Sequence, residues 1–147
     1  LKKQKYDWII LDAFNGDYIP EHLMTREFLT EVKSLLSAQG ILTANTFSIS
    51  QLYEHESATY LAVFGEFFNV RNSNHSNRVI LTTANGLPPV TEILQRAKTL
   101  GDSLNDYGVN IQALEASMTS TADIKDWPEN TRLLTDQYSP ANLLKLN

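Results

Sequence analysis

Asp12 and Asp17 stand five residues apart around a glycine-containing loop, and Glu21 and His22 follow directly after Pro20. Carboxylates grouped in this way can hold a cationic amine. One of them can also take the proton that an amine must lose before it acts as a nucleophile. A carboxylate at the end of a strand is positioned by rigid structure, and a second on the adjoining loop can reach the other end of a diamine. Paired acids also suit a metal ion, but Asp-x4-Asp brings no further organised ligands, so no metal is expected. His22 can bind substrate or tune a carboxylate, and it fits equally well as a residue packed at a helix start. An aspartate at a strand end is also a common turn former or cap, so residue type alone leaves both readings open.

These side chains need a scaffold. Tyr6 to Asp12 reads as a buried strand, because Trp8, Ile9, Ile10 and Leu11 form an apolar run suited to coverage on both faces. Such a strand asks for neighbours on both sides. Thr25 reads as the N-cap of a helix whose buried face carries Phe28, Val32, Leu35 and Leu36, with Gly40 in the left-handed position just past its end. Ile41 to Thr46 reads as a second strand. Ser48 or Ser50 caps a second helix, with Tyr53, Tyr60, Leu61 and Phe64 on one face and Gly65 at its end. His55, between Glu54 and Glu56, falls on the solvated side of that helix. Phe67 to Arg71 is a third strand, Asn72 to Asn77 a polar loop holding His75, and Arg78 to Thr83 a fourth strand rich in β-branched residues. A polar connection of six residues is too short for a parallel crossover, so the last two strands form an antiparallel hairpin.

Beyond Ala84, Pro88 and Pro89 open a helix with Val90, Ile93, Leu94, Ala97 and Leu100 on one side and Gly101 closing it. Asn110 caps a short helix from Ile111 to Met118, and Thr119 to Asp123 reads as a loop. In the tail, Asp136 and Tyr138 either fold back towards the rim of the site or form the turn before Pro140. The alternation of strands and helices marks an α/β, doubly wound sheet. Residues 6–83 form its core and residues 84–147 a helical extension and tail of one domain. Ligands of such sheets bind outside the carboxyl ends of the strands, which is where Asp12 falls. Three strands with two crossovers are not a self-sufficient parallel sheet, and the chain opens on lysines followed by a core-type strand. It therefore reads as part of a longer protein.

Composition narrows the function classes. The 147 residues carry a net charge of −5, with 42% hydrophobic and 20% charged residues. A mildly acidic chain whose only basic cluster is Lys2, Lys3 and Lys5 is a poor nucleic-acid binder. The absence of cysteine excludes disulfides, thiolate catalysis and Cys-ligated metal. The three histidines share no ligand spacing, and no serine lies in a G-x-S-x-G context. No run is long enough to span a bilayer, so this segment is expected to make no membrane contact and to reside in the cytoplasm.

The stretch Tyr6-Asp7-Trp8-Ile9-Ile10-Leu11-Asp12-Ala13-Phe14, followed by Ile19-Pro20-Glu21-His22-Leu23-Met24-Thr25-Arg26-Glu27-Phe28, resembles the central segment of the spermidine synthase family. It is most similar to the branch with a D-A-F-x-x-D-x-I-P-x-H-L-x-T-x-E pattern, whose members are often fused to membrane segments. The tail Leu134-Thr135-Asp136-Gln137-Tyr138-Ser139-Pro140-Ala141-Asn142-Leu143 resembles the C-terminal signature of that branch. The resemblance implies the C-terminal half of a class I methyltransferase-like, Rossmann-like sheet ending in an antiparallel hairpin, followed by C-terminal helices. It implies transfer of an aminopropyl group from decarboxylated S-adenosylmethionine to a polyamine-type amine, as in the conversion of putrescine to spermidine, by a dimeric enzyme of polyamine biosynthesis. By the same resemblance Asp12 is the catalytic base, Asn15, Asp17 and His22 contact the amine, and Ala13, Phe14 and Pro20 line the nucleoside side. The family has a second Asp where this chain has Asn15, and an aromatic contact where residues 72–77 offer no tyrosine. Its glycine-rich nucleoside loop has no counterpart here, since the glycines at 16, 40, 65, 86, 101 and 108 are isolated. A catalytically degenerate nucleoside- or amine-binding or assembly module is the alternative, and an S-adenosylmethionine-dependent methyltransferase on the same fold is another.

Overall fold

Five strands and their helices are laid out in a computed structural model that describes residues 4–13, 20–71 and 75–146. The strands are β1 (Tyr6–Leu11), β2 (Leu36–Phe47), β3 (Phe68–Arg71), β4 (Asn77–Thr83) and β5 (Met118–Ser120). The helices are α1 (Arg26–Leu35), α2 (Ser50–Phe64), α3 (Val90–Asn105), α4 (Ile111–Ala116) and α5 (Ala141–Leu144), and a single 3-10 turn spans Glu21–Met24. The sheet order is β1-β2-β4-β3-β5. β1 and β2 are parallel, while β4 lies antiparallel to both β2 and β3. The expected hairpin is present, and its returning strand inserts between β2 and β3, so β3 has the direction of β1 and β2 without touching them.

Local chemistry accounts for several element ends. Thr25 caps α1, its Oγ1 accepting the Phe28 N–H at 3.2 Å. Leu29 and Val32 turn inward, and the Lys33 ammonium donates to the Val63 carbonyl at 2.8 Å, tying α1 to the end of α2. Gly65 ends α2 with φ +79, a conformation that side chains with a Cβ rarely adopt.

Several sequence readings are corrected. Gly40 does not follow α1, which stops at Leu35; it is buried inside β2 without a positive φ. The pairing runs from Tyr6↔Leu36 directly to Trp8↔Ile41, so β2 bulges, and a Cβ on Gly40 would stand 2.9 Å from the Tyr6 carbonyl oxygen. Neither Ser48 nor Ser50 caps α2. The Ser48 N–H is drawn to the Ser76 carbonyl at 2.8 Å, and Ser50 sits at φ +74 with its hydroxyl buried and unpartnered. Gly101 lies within α3, buried, where an added Cβ would meet the Gln112 side chain at 3.1 Å. Residues 118–120, read as helix end and loop, form β5 and extend the sheet beyond β3.

The core fills one face of the sheet. Leu29, Val32, Tyr53, Tyr60 and Phe64 of the helices pack on Leu42, Ala44 and Ile80, with Ile9 and Leu11 beside them. Trp8 and Ile10 alternate to the other face and are 63% and 58% exposed. Among the described residues β1 pairs with β2 alone, and the strand read as buried on both faces is covered only on the Ile9–Leu11 face. The tail returns to the core: Trp127 stacks on Phe67 with ring centres 6.0 Å apart, and Leu134 joins Met24, Leu52, Ala141 and Leu144 in a second cluster. Among the described residues no helix is long and apolar enough to cross a membrane.

Gly40 provides a direct test of this bulge. Gly40→Ala is expected to destabilise the fold by about 1–3 kcal/mol, the usual range for forced overpacking. Chemical denaturation of both forms measures it, and an unchanged midpoint would show that β1 and β2 can separate at no cost.

Candidate active site

β1 delivers Asp12 to the end of the parallel pair, where Leu11 is in register with Ala44. The Asn45 amide on β2 donates to Asp12 Oδ1 at 3.0 Å, and the Asn77 amide at the start of β4 donates to Asn45 Oδ1 at 3.1 Å. This chain of bonds fixes the Asn45 side chain with its NH2 towards the carboxylate. Asp12 is therefore exposed to solvent yet held by two neighbouring strand ends, a geometry suited to a general base.

Of the other sequence-derived candidates, Phe14, Asn15 and Asp17 lie outside the described residues. Ala13 and Pro20, on either side of that stretch, both line a cavity of about 40 Å³ between the sheet and the helices. His22 is exposed on the 3-10 turn and faces a separate, open groove of about 810 Å³. That groove runs between residues 21–31 and the returning tail, Asp136 to Pro140.

The tail is stitched to the 3-10 turn and α1. Glu21 Oε1 accepts from the Asn142 backbone and side-chain amides at 3.1 and 3.0 Å, and Ser139 Oγ donates to the Glu21 carbonyl at 2.7 Å. The Asp136 N–H donates to Glu27 Oε2 at 3.1 Å. The Glu27 carboxyl is held below its ordinary value by its own backbone N–H at the helix start, and next by Arg26. The two readings of Asp136 and Tyr138 merge into one arrangement. Thr135 and Tyr138 exchange backbone bonds at 2.8 Å across a turn, and that turn packs beside His22. His55 belongs to this assembly and not to a solvated face: its Nδ1 donates to the Arg132 carbonyl at 2.7 Å, and its ring lies 6.2 Å from that of Tyr138.

Sequence reasoning missed a buried polar centre beneath Asp12. Glu56, for which no role was read from the sequence, is 1% exposed, and so is Arg78. The Arg78 guanidinium donates to Thr46 Oγ1 at 2.8 Å, Ser57 Oγ at 2.7 Å, Asn69 Oδ1 at 3.0 Å and the Tyr53 carbonyl at 3.4 Å. It stands 4.2 Å from the centre of the Tyr53 ring. Glu56 Oε2 lies 3.9 Å from Arg78 Nη2, beyond hydrogen-bond distance, and has no hydrogen-bond partner. Burial pushes the Glu56 carboxyl up to about 7, against the opposing pull of Arg78 and the Phe47 N–H. The signal was available: Leu52, Glu56 and Tyr60 are spaced four apart, so Glu56 shares the buried stripe. Among the described residues no three His, Cys, Asp or Glu side chains are grouped to hold a metal ion.

No family model matches the chain. A polyamine aminopropyltransferase of Vibrio vulnificus is 58% identical over 146 residues, which is 99% of this chain and 48% of that protein. This chain is a homologue of the polyamine aminopropyltransferases. A polyamine aminopropyltransferase of Neisseria meningitidis is 25% identical over 117 residues, 78% of this chain and 44% of the relative. The chain thus spans about half the length of the curated aminopropyltransferases it matches. The fold agrees with that family. A probable spermidine synthase of Corynebacterium glutamicum superposes with a TM-score of 0.64 at 18% identity, over 95% of this chain and 51% of the other. Human methyltransferase-like protein 13, in complex with SAH, gives a TM-score of 0.57 at 20% identity, over 88% of this chain and 54% of the other. The α/β, methyltransferase-like reading of the sheet therefore holds.

The raised Glu56 value has a stability consequence. Its ordinary value is 4.5 and its folded value about 7, so the native state binds this proton more tightly than the unfolded chain. The contribution is complete below about pH 4.5 and is lost as pH rises through about 7. Arg78 of β4 and the Phe47 backbone N–H are the groups that act on it, and neither changes its charge in that window. Glu56→Gln removes the titration. The stability difference between wild type and variant, followed by denaturant melts from pH 4.5 to 7, is expected to change with pH in wild type's disfavour. A difference independent of pH would show that Glu56 titrates normally.

Proposed function

We propose that this chain forms the C-terminal half of an aminopropyltransferase domain, and that Asp12 is its general base. The observation that carries the reading is the carboxylate at the end of β1, held by the Asn45–Asn77 amide pair. In this reading Asp12 takes a proton from the primary amine of a putrescine-type acceptor. The freed nitrogen attacks the aminopropyl carbon of decarboxylated S-adenosylmethionine, the carbon–sulfur bond breaks, and methylthioadenosine leaves with the electron pair on sulfur. Asn15, Asp17 and His22 would orient the amine, while Ala13, Phe14 and Pro20 would line the nucleoside side. The 58% identity to an aminopropyltransferase supports this assignment, and the relative solved with SAH supports an S-adenosylmethionine-related ligand on this fold. Because the matched relatives are about twice as long, the activity belongs to the whole protein that carries these residues.

A binding or assembly module without transferase activity is the second reading, favoured by Asn15 where the family has an acid. One experiment separates them. In the whole protein Asp12→Asn is expected to lower transfer from decarboxylated S-adenosylmethionine by about 100-fold or more, the usual size of a general-base effect. Calorimetric binding of methylthioadenosine should be retained. Retained transfer removes Asp12 from the mechanism. Methylthioadenosine binding without any transfer by the wild type selects the binding module.

A further inference from the structure

We propose that the Asn85–Gly86 turn after β4 is a self-modification site, where Asn85 converts to aspartate and isoaspartate with water as the co-reactant. The inference does not depend on the transferase reading.

The reaction joins two groups that are neighbours in the chain. The Gly86 backbone nitrogen attacks Cγ of the Asn85 side chain and a bond forms between them. The Cγ–Nδ2 bond breaks, and ammonia leaves with the electron pair and with the proton of the attacking nitrogen. Water then opens the five-membered imide at either carbonyl. One opening gives aspartate on the original backbone. The other gives isoaspartate, with the backbone running through the former side chain. Nothing is oxidised or reduced, and the net change is an uncharged amide for a carboxylate.

Three observations favour this turn. Gly86 sits at φ +99, which side chains with a Cβ rarely adopt, so the turn itself requires the residue that crowds the attacking nitrogen least. A Cβ built there would meet nothing within 4 Å, so the turn stands in open space. Asn85 is exposed, which lets base and water reach its amide. Among the described residues no group accepts the Gly86 N–H, so the nucleophile is not engaged elsewhere.

The modification removes a bond that the sheet uses. Asn85 Nδ2 donates to the Ala38 carbonyl at 2.8 Å. Ala38 lies in the bulged stretch of β2, between the Tyr6↔Leu36 and Trp8↔Ile41 pairings, where no residue of β1 is in register. Asn85 thus supplies a donor that the ladder omits. A carboxylate has no hydrogen to give, and its charge would face the carbonyl oxygen. Arg96, paired with Glu92 at 2.7 Å, lines the same groove of about 560 Å³ as Asn85 and Ala38. The new carboxylate therefore has a cation to turn towards. The tie between the end of β4 and the β2 bulge is then lost irreversibly.

The test ages the whole protein in mildly alkaline buffer, folded and in denaturant, and follows its peptides by mass. Conversion must be mapped by position, because Asn15–Gly16 is a second pair of the same type. Folded wild type is expected to yield two product peaks at Asn85, each heavier by the exchange of NH for O, and faster as pH rises. Asn85→Gln closes only a slower six-membered ring, and it is expected to stay unmodified at 85 over the same period. Aged wild type and fresh Asn85→Asp are both expected to unfold at lower denaturant concentration than fresh wild type. Ageing should leave the midpoint of Asn85→Gln unchanged, which separates position 85 from changes elsewhere. Aged wild type keeps the stability arm readable should Asn85→Asp fail to fold. An Asn85 peptide that converts in denaturant and not in the folded protein overturns the proposal, since the Ala38 bond then protects the amide. Conversion in the folded protein with an unchanged midpoint overturns the role given to the Ala38 bond.

Discussion

A buried arginine holds the strand ends together. Arg78 sits in β4, the antiparallel strand in the middle of the sheet, opposite Thr46 of β2 and Arg71 of β3. Its guanidinium reaches β2, β3 and α2 at once through Thr46, Asn69, Ser57 and the Tyr53 carbonyl. A desolvated cation is tolerable only with such saturation and a nearby carboxylate, and Glu56 provides the latter. Removing Glu56 leaves the arginine charged without its carboxylate in a site that water does not reach, and removing Arg78 pushes the Glu56 carboxyl further up.

The neighbouring residue extends the same constraint to the opposite face. Successive side chains of a strand point to opposite sides, so Asn77 turns away from Arg78 and meets Asn45, which in turn holds Asp12. The ends of β1, β2 and β4 are thereby fixed from below by a cation and from above by two amides. An exposed carboxylate needs this support to keep one position, since solvent alone would leave its rotamers free.

The C-terminal tail applies a second clamp. Arg26 N–H bonds the Leu134 carbonyl at 2.8 Å, Leu134 N–H bonds Thr59 Oγ1 at 2.9 Å, and Glu21 gathers Asn142. These bonds fix the 3-10 turn that follows the Asp12–Pro20 segment. They also explain why His55, in the first half of α2, bonds to the tail while partly exposed. Residues more than a hundred positions apart in the chain thus share one small region at the carboxyl ends of the strands.

What the sequence determined by itself was local or periodic. The Thr25 and Asn110 caps, the Gly65 stop, the alternation of strands and helices, the short hairpin connection and the placement of Asp12 at a strand end all follow from neighbouring residues. The D-A-F segment carried the family as well. Tertiary structure decided the rest, because each remaining feature depends on partners distant in the chain. Gly40 left its cap role when the Tyr6 backbone came within 2.9 Å of where its Cβ would be. The three residues of β5 became a strand only by pairing with β3. His55 left its expected solvated face because Arg132 was brought to it, and Glu56 lies buried beside Arg78, 22 positions further along the chain. Periodicity reports which face of an element is apolar, whereas a buried ion pair needs two elements to meet, and only the folded sheet brings them together.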